Sequence, residues 1–391
     1  MKRKEFLEGS HAIAEAVKLC RPQVISAYPI TPQTHIVERL ADFVADGELK
    51  AEFINVESEH SACSVVLGAA ACGARVFTAT SSQGLILMSE VLFNAAGMRL
   101  PIVLVCANRA LSAPINIWND HQDSMAVRDS GWVQFYAENV QEAVDLIFAS
   151  YRISEDPKIL LPVMVCIDGY ILTHGFEPVE FPSEEEVKKF LPPLNLPFKL
   201  DVENPLTLGF LGAPDCYLET RYALHQTHLE LLEKFPYFES EFKNVFGKSI
   251  NLKIESYFTQ DADTIIIALG SVCGTIKEVV DSLRKKGEKV GLLKIISFRP
   301  LPKTDILKNL ESAKKVLILD KSISLGCDGP VYIEIKSLLQ GTNKKIYGFI
   351  AGLGGRDITL NTILEMLKIA DTNPEGSYFL DVKKELLRDE L

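Results

Sequence analysis

The chain has 391 residues, of which 47% are hydrophobic and 24% are charged, and its net charge is −11 at pH 7. This length predicts two domains, the lack of a basic stripe argues against a nucleic-acid-binding protein, and no apolar run is long enough to span a membrane. The N-terminal residues lack the continuous apolar core of a signal peptide, so the sequence predicts a cytoplasmic protein.

The first 170 residues alternate short apolar strands with helical segments. Six strands are predicted, at Gln23–Ile30, Glu52–Val56, Arg75–Ser81, Ile102–Ala107, Trp132–Ala137 and Val163–Ile167. Apolar strands that alternate with helices predict an α/β fold, in which a parallel sheet is covered on both faces. Ligands of such sheets bind at the carboxyl ends of the strands.

The alternation stops at about residue 174 and resumes near residue 256. The stretch between them is rich in proline and acidic residues and reads as an irregular connector, with one helix predicted in "RYALHQTHLELLEKF". We therefore predict a first domain over residues 1–255, whose connector covers about 174–255. A smaller α/β domain is predicted over 256–372, and a C-terminal tail over 373–391.

Motifs for metals and clusters are weak in this chain. None of its eight cysteines forms a CxxC pair, so we expect free, mostly buried thiols and no iron–sulfur cluster on this chain. "HQTH", at His225–His228, has no evident third ligand, so no metal site is predicted.

Three polar residues follow the ends of predicted strands. Thr31 lies between two prolines after the first strand, Glu59 follows the second strand together with Glu57, and Arg109 follows the fourth. Taken singly, these residues fit a turn, a helix-start carboxylate and a surface ion pair. Together they predict one cleft for a small anionic substrate, because an arginine fork grips a carboxylate with two hydrogen bonds.

Four segments carry a resemblance to a known family. "YPITPQT", "VESEHSA", "TATSSQGL" and "NRALSAPINIWNDHQDSM" resemble the alpha subunits of the thiamine-diphosphate-dependent 2-oxoacid:ferredoxin oxidoreductases, and most closely those of the pyruvate branch. The resemblance extends over nearly the whole chain. It implies that the first domain is of the type that binds the pyrimidine of thiamine diphosphate, and that the second is transketolase-C-like.

The resemblance also implies roles for individual residues. Glu59 matches the glutamate that hydrogen-bonds N1′ of the cofactor and favours its imino tautomer, with Glu57 as the rival two residues away. Thr31 and Arg109 match the residues that hold the substrate carboxylate. Ser82 and Gln83 are expected to line the cofactor pocket. Residues Asn119–Ser124 are expected to cover the site or to form an intersubunit contact.

Half of the cofactor site is missing from the sequence. The chain has neither the GDG motif nor the paired asparagines that hold the metal of the diphosphate. The resemblance therefore implies a hetero-oligomer in which a beta subunit supplies magnesium and a [4Fe–4S] cluster, and gamma and delta subunits carry electrons to ferredoxin.

The expected reaction converts pyruvate, coenzyme A and oxidised ferredoxin reversibly to acetyl-CoA, carbon dioxide and reduced ferredoxin. Three alternatives remain open at this point. The substrate is instead a branched-chain 2-oxoacid or 2-oxoglutarate, the enzyme is transketolase-like without electron transfer, or the chain is a non-catalytic assembly subunit.

Overall fold

The structure is a computed structural model that describes residues 3–387. The chain divides into two compact units. The first contains the described residues up to Lys253 together with Ile296–Pro302, and the second contains Ile254–Ile295 and the described residues from Lys303 onward. Among the described residues, no helix combines the length and the apolar character that crossing a bilayer requires.

A seven-stranded sheet forms the centre of the first unit. Its strands run in the order β12-β6-β7-β5-β4-β2-β3, and all neighbours are parallel except β12 and β6. The bounds are β2 Val24–Ala27, β3 Glu52–Asn55, β4 Val76–Thr80, β5 Ile102–Asn108, β6 Val133–Tyr136, β7 Val163–Asp168 and β12 Ser297–Arg299. Strands β5 and β7 are buried along their whole length, as central strands with two covered faces are. The predicted α/β class is confirmed.

Nine helices of the first unit surround its strands within the described part of the chain. They are α1 Gly9–Cys20, α2 Thr34–Ala45, α3 Glu59–Ala71, α4 Ser82–Leu87, α5 Ser89–Gly97, α6 Gln122–Ala126, α7 Val140–Ser154, α8 Glu184–Phe190 and α9 Tyr217–Phe246. Several begin at polar caps: the Asn139 side chain accepts from the Glu142 N–H, and Ser183 and Glu186 form a capping box.

A separate two-stranded antiparallel sheet joins the start of the chain to the connector. Its strands are β1 Arg3–Glu8 and β8 Phe176–Phe181. The connector also contains α9, which is 30 residues long and extends beyond the predicted helix on both sides, through Pro236. Its buried phenylalanines recur every three or four residues from Phe235 to Phe246, so packing of this face maintains the helix beyond the proline.

The second unit is built on a six-stranded sheet in the order β15-β14-β13-β10-β11-β9, in which only β9 is antiparallel. Its strands are β9 Ile254–Tyr257, β10 Thr264–Ala268, β11 Val290–Ile295, β13 Lys315–Asp320, β14 Lys345–Ile350 and β15 Ser377–Phe379. Its helices are α10 Val272–Lys285, α11 Lys303–Asn309, α12 Pro330–Leu338 and α13 Leu360–Thr372.

The segment predicted as a C-terminal tail contributes to this second sheet. Residues Ser377–Phe379 pair in parallel with Gly348–Ile350, so this part of the chain is the edge strand β15. Residues 388–391 of the predicted tail lie outside the described residues.

Candidate active site

The order of the first sheet reverses between β2 and β4. Strand β3 lies on one side of β2, whereas β4 and then β5 lie on the other. The connections that follow β2 and β4 therefore diverge and leave a crevice at the carboxyl edge, where open α/β sheets bind ligands. Thr31, Ser82 and Arg109 follow the carboxyl ends of β2, β4 and β5. The strand-end rule thus brings these predicted residues to one edge of the sheet.

Glu59 is the first residue of α3, and its side chain faces a pocket at this edge. The residue is 7% exposed, and its carboxylate has no hydrogen-bond or ion-pair partner among the described residues. The pocket has a volume of about 510 Å³ and is lined by Glu59, Gln83, Gly84, Ile86, Leu87, Leu111 and Ser112. A buried carboxylate without a protein partner is costly, so this position suits a group that binds a ligand.

Glu57, the rival carboxylate, has a different environment. It is exposed and hydrogen-bonded to the Ser61 hydroxyl, which lowers the pKa of the Glu57 carboxyl. The neighbouring Ser58 caps α3 by accepting a hydrogen bond from the Ser61 N–H. The turn into the helix therefore separates the two glutamates, and only Glu59 lines the pocket.

Gly84 makes the approach of Glu59 possible. An ideal Cβ at this position would lie 2.5 Å from Thr80 Oγ1, 2.7 Å from Glu59 Oε1 and 2.8 Å from Glu59 Cγ. Even alanine would therefore displace the carboxylate. Glycine is unfavourable inside a helix, so a glycine at this position of α4 indicates close packing. This indication is visible in the sequence without the structure.

Ser82 and Gln83 begin α4 beside the pocket. Ser82 has a left-handed φ of 50°, which is strained for serine, and its Oγ lies 2.5 Å from both the Ala110 carbonyl oxygen and Gln83 Oε1. Gln83 Nε2 is buried without a hydrogen-bond partner. This free amide lies on a pocket-lining side chain, where a ligand acceptor would satisfy it.

The structure brings Arg109 and the Thr31 turn into contact. Arg109 Nη1 donates to the Thr31 carbonyl oxygen at 2.8 Å, and Nε donates to the Asn116 carbonyl oxygen at 2.9 Å. Burial lowers the pKa of the Arg109 guanidinium, although Tyr170 and Asp123 oppose this shift. Nη2 has no partner among the described residues, so one donor-bearing nitrogen of a fixed guanidinium remains for an anionic ligand.

Asp123, which the sequence analysis did not single out, joins the strand ends. Its Oδ2 accepts the backbone N–H groups of Ser82 at 2.9 Å and Arg109 at 3.0 Å, while Oδ1 accepts from Asn108 Nδ2 and the Ser124 N–H, both at 2.7 Å. Burial raises the pKa of Asp123 to about 6, against the hydrogen bonds from Asn108, Arg109 and Ser82, which lower it. The Asp123 carboxylate therefore fixes the distance between the segment that begins at Ser82, beside the pocket, and the segment that begins at Arg109.

Two further residues that the sequence analysis missed hold the Thr31 turn. Gln33 is fully buried, and its Nε2 donates to the Ala79 carbonyl oxygen of β4 at 2.7 Å. Gly169 follows β7, and a Cβ there would lie 2.7 Å from Pro32 Cγ and 2.5 Å from the Asn108 carbonyl oxygen. Both contacts fix the turn against its neighbouring strands, and the buried glutamine beside two prolines had no local signal in the sequence.

The segment Asn119–Ser124 was expected to cover the site or to contact another subunit, and its burial argues against the second of these for most of its residues. Asn119, Asp120, His121, Asp123 and Ser124 are all at most 2% exposed in the isolated chain. His121 Nε2 and Asp168 Oδ1 lie 2.7 Å apart in this interior. Through Asp123, the segment binds the backbone N–H groups of Ser82 and Arg109.

Comparisons with known proteins point in one direction. Residues 15–235 match the family described as "Pyruvate flavodoxin/ferredoxin oxidoreductase, thiamine diP-bdg", and residues 262–363 match "Pyruvate:ferredoxin oxidoreductase core domain II". The chain is 54% identical over 380 residues to the pyruvate synthase subunit PorA of Methanocaldococcus jannaschii, covering 95% of this chain and 96% of the relative. It is 52% identical over 373 residues to PorA of Methanothermobacter thermautotrophicus, with the same coverage of both chains.

Two further similarities concern other 2-oxoacids. The ketoisovalerate oxidoreductase subunit VorA of Pyrococcus horikoshii is 44% identical over 363 residues, covering 92% of each chain. The 2-oxoglutarate:ferredoxin oxidoreductase from Magnetococcus marinus, solved with 2-oxoglutarate, coenzyme A and succinyl-CoA bound, superposes with a TM-score of 0.70. That alignment covers 94% of this chain and 65% of the other at 21% identity, so it shows a common fold.

Proposed function

The chain belongs to the pyruvate flavodoxin/ferredoxin oxidoreductase family, and from that premise we propose that it is the alpha subunit of a pyruvate:ferredoxin oxidoreductase. The complex converts pyruvate, coenzyme A and oxidised ferredoxin to acetyl-CoA, carbon dioxide and reduced ferredoxin, and the reverse. The observation that carries this proposal is the position of the Glu59 carboxylate. It has no partner among the described residues and lines an apolar pocket at the carboxyl edge of the sheet, where the strand order reverses.

The pocket fits the pyrimidine end of thiamine diphosphate. Glu59 offers a carboxylate and Gln83 an unsatisfied amide, while Ile86, Leu87 and Leu111 offer apolar surface to a ring. Glu59 would hold the pyrimidine by a hydrogen bond at its carboxylate oxygen and share a proton there. Gly84 keeps the space that the carboxylate needs. When bound, the cofactor supplies the electron sink for decarboxylation.

Arg109 and Thr31 act on the substrate. The guanidinium, held at Nε and Nη1, binds the carboxylate of the 2-oxoacid and fixes its orientation. Thr31 contributes its hydroxyl from a turn anchored by Pro32 and Gln33. The low exposure of Arg109 strengthens its attraction for an anion, because water screens the pair less.

The rest of the holoenzyme belongs to partner subunits in this proposal. The sequence lacks the GDG and paired-asparagine motifs, so a beta subunit holds the diphosphate, magnesium and a [4Fe–4S] cluster. Gamma and delta subunits pass electrons to ferredoxin. All eight cysteines of this chain are free and five are buried, as thiols are in the reducing cytoplasm where we place the complex.

Pyruvate is the proposed substrate, and a branched-chain 2-oxoacid is the second candidate. The compared pyruvate synthase subunits are 52% and 54% identical, whereas the ketoisovalerate oxidoreductase subunit is 44% identical. The higher identity to the pyruvate synthase subunits favours pyruvate. The similarity to the ketoisovalerate oxidoreductase subunit is the reason why the test below also includes larger 2-oxoacids.

The test is co-expression with the partner subunits, followed by anaerobic purification and a viologen-reduction assay with coenzyme A. We expect pyruvate to be used with a higher kcat/KM than 2-oxoisovalerate or 2-oxoglutarate. A higher kcat/KM with 2-oxoisovalerate would reassign the substrate. An assembled complex that reduces viologen with none of the three would favour a non-catalytic assembly subunit, and one that forms ketol products without reducing viologen would favour a transketolase-like enzyme.

A further inference from the structure

Three side chains with metal-binding atoms meet away from the Glu59 pocket, although they are far apart in the sequence. Glu8 is the last residue of β1, His35 is in the first turn of α2, and His174 lies in the connection between β7 and β8. One ligand atom of each lies within 4.8 Å of the other two. Two of the chain's seven histidines are therefore brought together with a carboxylate.

We propose that Glu8, His35 and His174 form a binding site for one divalent transition-metal ion of the zinc type. Two imidazoles and one carboxylate are a donor set that zinc accepts, with water completing the fourth position. This site is independent of the proposed 2-oxoacid chemistry.

The distances agree with ligands of one ion. Glu8 Oε1 and His35 Nδ1 lie 2.7 Å apart, and the ring centres of His35 and His174 are 4.9 Å apart. Two imidazoles bound to one tetrahedral ion at roughly 2.1 Å place their ring centres about 5 Å apart. Ligand atoms on such an ion are about 3.4 Å apart, so the widest pair has to close by no more than about 1.4 Å. The present contact between Glu8 Oε1 and His35 Nδ1 has to open by about 0.7 Å, and the His35 side chain, which is 43% exposed, has space for this adjustment.

The backbone holds two of the three ligands in a fixed relation. The Gly9 N–H donates to the Gly175 carbonyl oxygen at 2.9 Å, and the Ser10 N–H and hydroxyl both donate to the Thr173 carbonyl oxygen at 2.9 Å. A side chain at Gly9 would overlap the Leu172 carbonyl oxygen, so the two segments are in direct contact. Glu8 and His174 each lie next to one of these residues, and their separation is therefore set before any ion binds.

His174 also has the outer partners that metal-bound histidines usually have. Its Nδ1 lies 2.7 Å from Thr173 Oγ1, which accepts the Tyr170 N–H at 2.8 Å, and the Tyr170 ring stacks on the imidazole at 4.7 Å. Thr173 orients the imidazole through Nδ1 and leaves Nε2 for an ion.

A bound ion would connect three chain segments. His35 follows Thr31 by four residues, so the ion would tie the beginning of α2, next to the substrate turn, to β1 and to the β7–β8 connection. Such a cross-link stabilises the native state by an amount that grows with the logarithm of the free ion concentration once this exceeds the dissociation constant.

The experiment titrates the EDTA-treated full chain with Co²⁺ and follows visible absorption, with Zn²⁺ as competitor. We expect one Co²⁺ per chain with a dissociation constant below about 10 µM, visible bands typical of nitrogen and oxygen ligands, and a higher Tm with Zn²⁺. His35→Ala and His174→Ala should each weaken binding by at least about 10-fold. His225→Ala is the matched control, because His225 is an exposed helical histidine elsewhere in the same unit, and its affinity should equal that of the unchanged chain.

Circular dichroism identifies variants that fail to fold, and Glu8→Gln gives a further ligand substitution that keeps the side-chain size. The proposal is overturned if the unchanged chain binds no stoichiometric Co²⁺. It is also overturned if folded His174→Ala binds as tightly as the His225 control, or if sulfur-to-cobalt charge transfer shows that cysteines hold the ion. None of these readouts depends on enzyme activity.

Discussion

Replacing Gly84 with alanine tests whether the position of the Glu59 carboxylate controls turnover. The added Cβ would lie 2.7 Å from Glu59 Oε1 and 2.5 Å from Thr80 Oγ1, whereas ordinary contacts begin near 3.4 Å. Thr80 is fully buried on β4, so it has little room to move. We expect the carboxylate to shift by the missing distance, which is about 0.7 Å.

A shift of this size predicts a measurable kinetic effect. Misplacing a reacting group by about 1 Å reduces the rate by on the order of 100-fold, so we expect kcat to fall by roughly 10- to 100-fold in the viologen assay. The affinity for thiamine diphosphate should fall as well, whereas the KM for pyruvate should change little, because Arg109 is not displaced.

The matched control is Gly68→Ala, which adds the same methyl group to α3, the helix that carries Glu59. A Cβ at Gly68 has no neighbour within 4 Å, so activity should be retained and the helix stabilised by about 0.5–1 kcal/mol. Loss of activity in Gly84→Ala through misfolding would appear as a low yield of assembled complex. A well-assembled Gly84→Ala complex with unchanged kcat would refute the reasoning.

Arg109→Lys should raise the KM for pyruvate by at least about 10-fold, because only the guanidinium fork can bond the Thr31 carbonyl through Nη1 and the substrate through Nη2. An unchanged KM would show that Arg109 does not bind the substrate. Asp123→Asn should also raise that KM and destabilise the chain by about 2–4 kcal/mol, since either orientation of the amide faces two donors. Asp145→Asn, at another buried carboxylate that lies on α7 and is 7% exposed, should change stability alone. Burial raises the pKa of Asp320 to about 7 against the N–H donors of α12, so the folded state binds this proton more tightly than the unfolded chain. The free energy of unfolding of the unchanged chain, relative to that of Asp320→Asn, should therefore rise by up to about 1.4 kcal/mol per pH unit as the pH falls from about 7 to 4. If the urea midpoints of the two proteins differed by the same amount at pH 5 and at pH 8, this prediction would be contradicted.

Local patterns predicted the parallel sheets well because the strands are apolar and the sheet is buried on both faces. The pairing of β1 with β8 was missed, since the alternating charges of Arg3–Glu8 resemble an exposed N-terminus and the partner strand is more than 160 residues away. The full length of α9 was missed because Pro236 and the acidic residues conceal the spacing of its buried phenylalanines.

The candidate site shows the same division between local and long-range information. The strand-end rule brought Thr31, Ser82 and Arg109 to one edge, because it depends only on strand direction. The residues that hold them were not predictable in this way. Asp123 contacts the Ser82 backbone across 41 positions, and Gln33 reaches the carbonyl of Ala79 across 46, so only the folded chain reveals their roles.

The most direct test of the account is Glu59→Gln in the assembled complex, with Glu57→Gln as control. The two glutamates are two residues apart, but Glu57 is exposed and Glu59 lines the pocket. We predict that Glu59→Gln lowers pyruvate-dependent viologen reduction by at least about 100-fold while the complex still assembles, because a carboxamide cannot share the proton. Glu57→Gln should keep most of the activity. Near-normal turnover in an assembled Glu59→Gln complex would contradict the account.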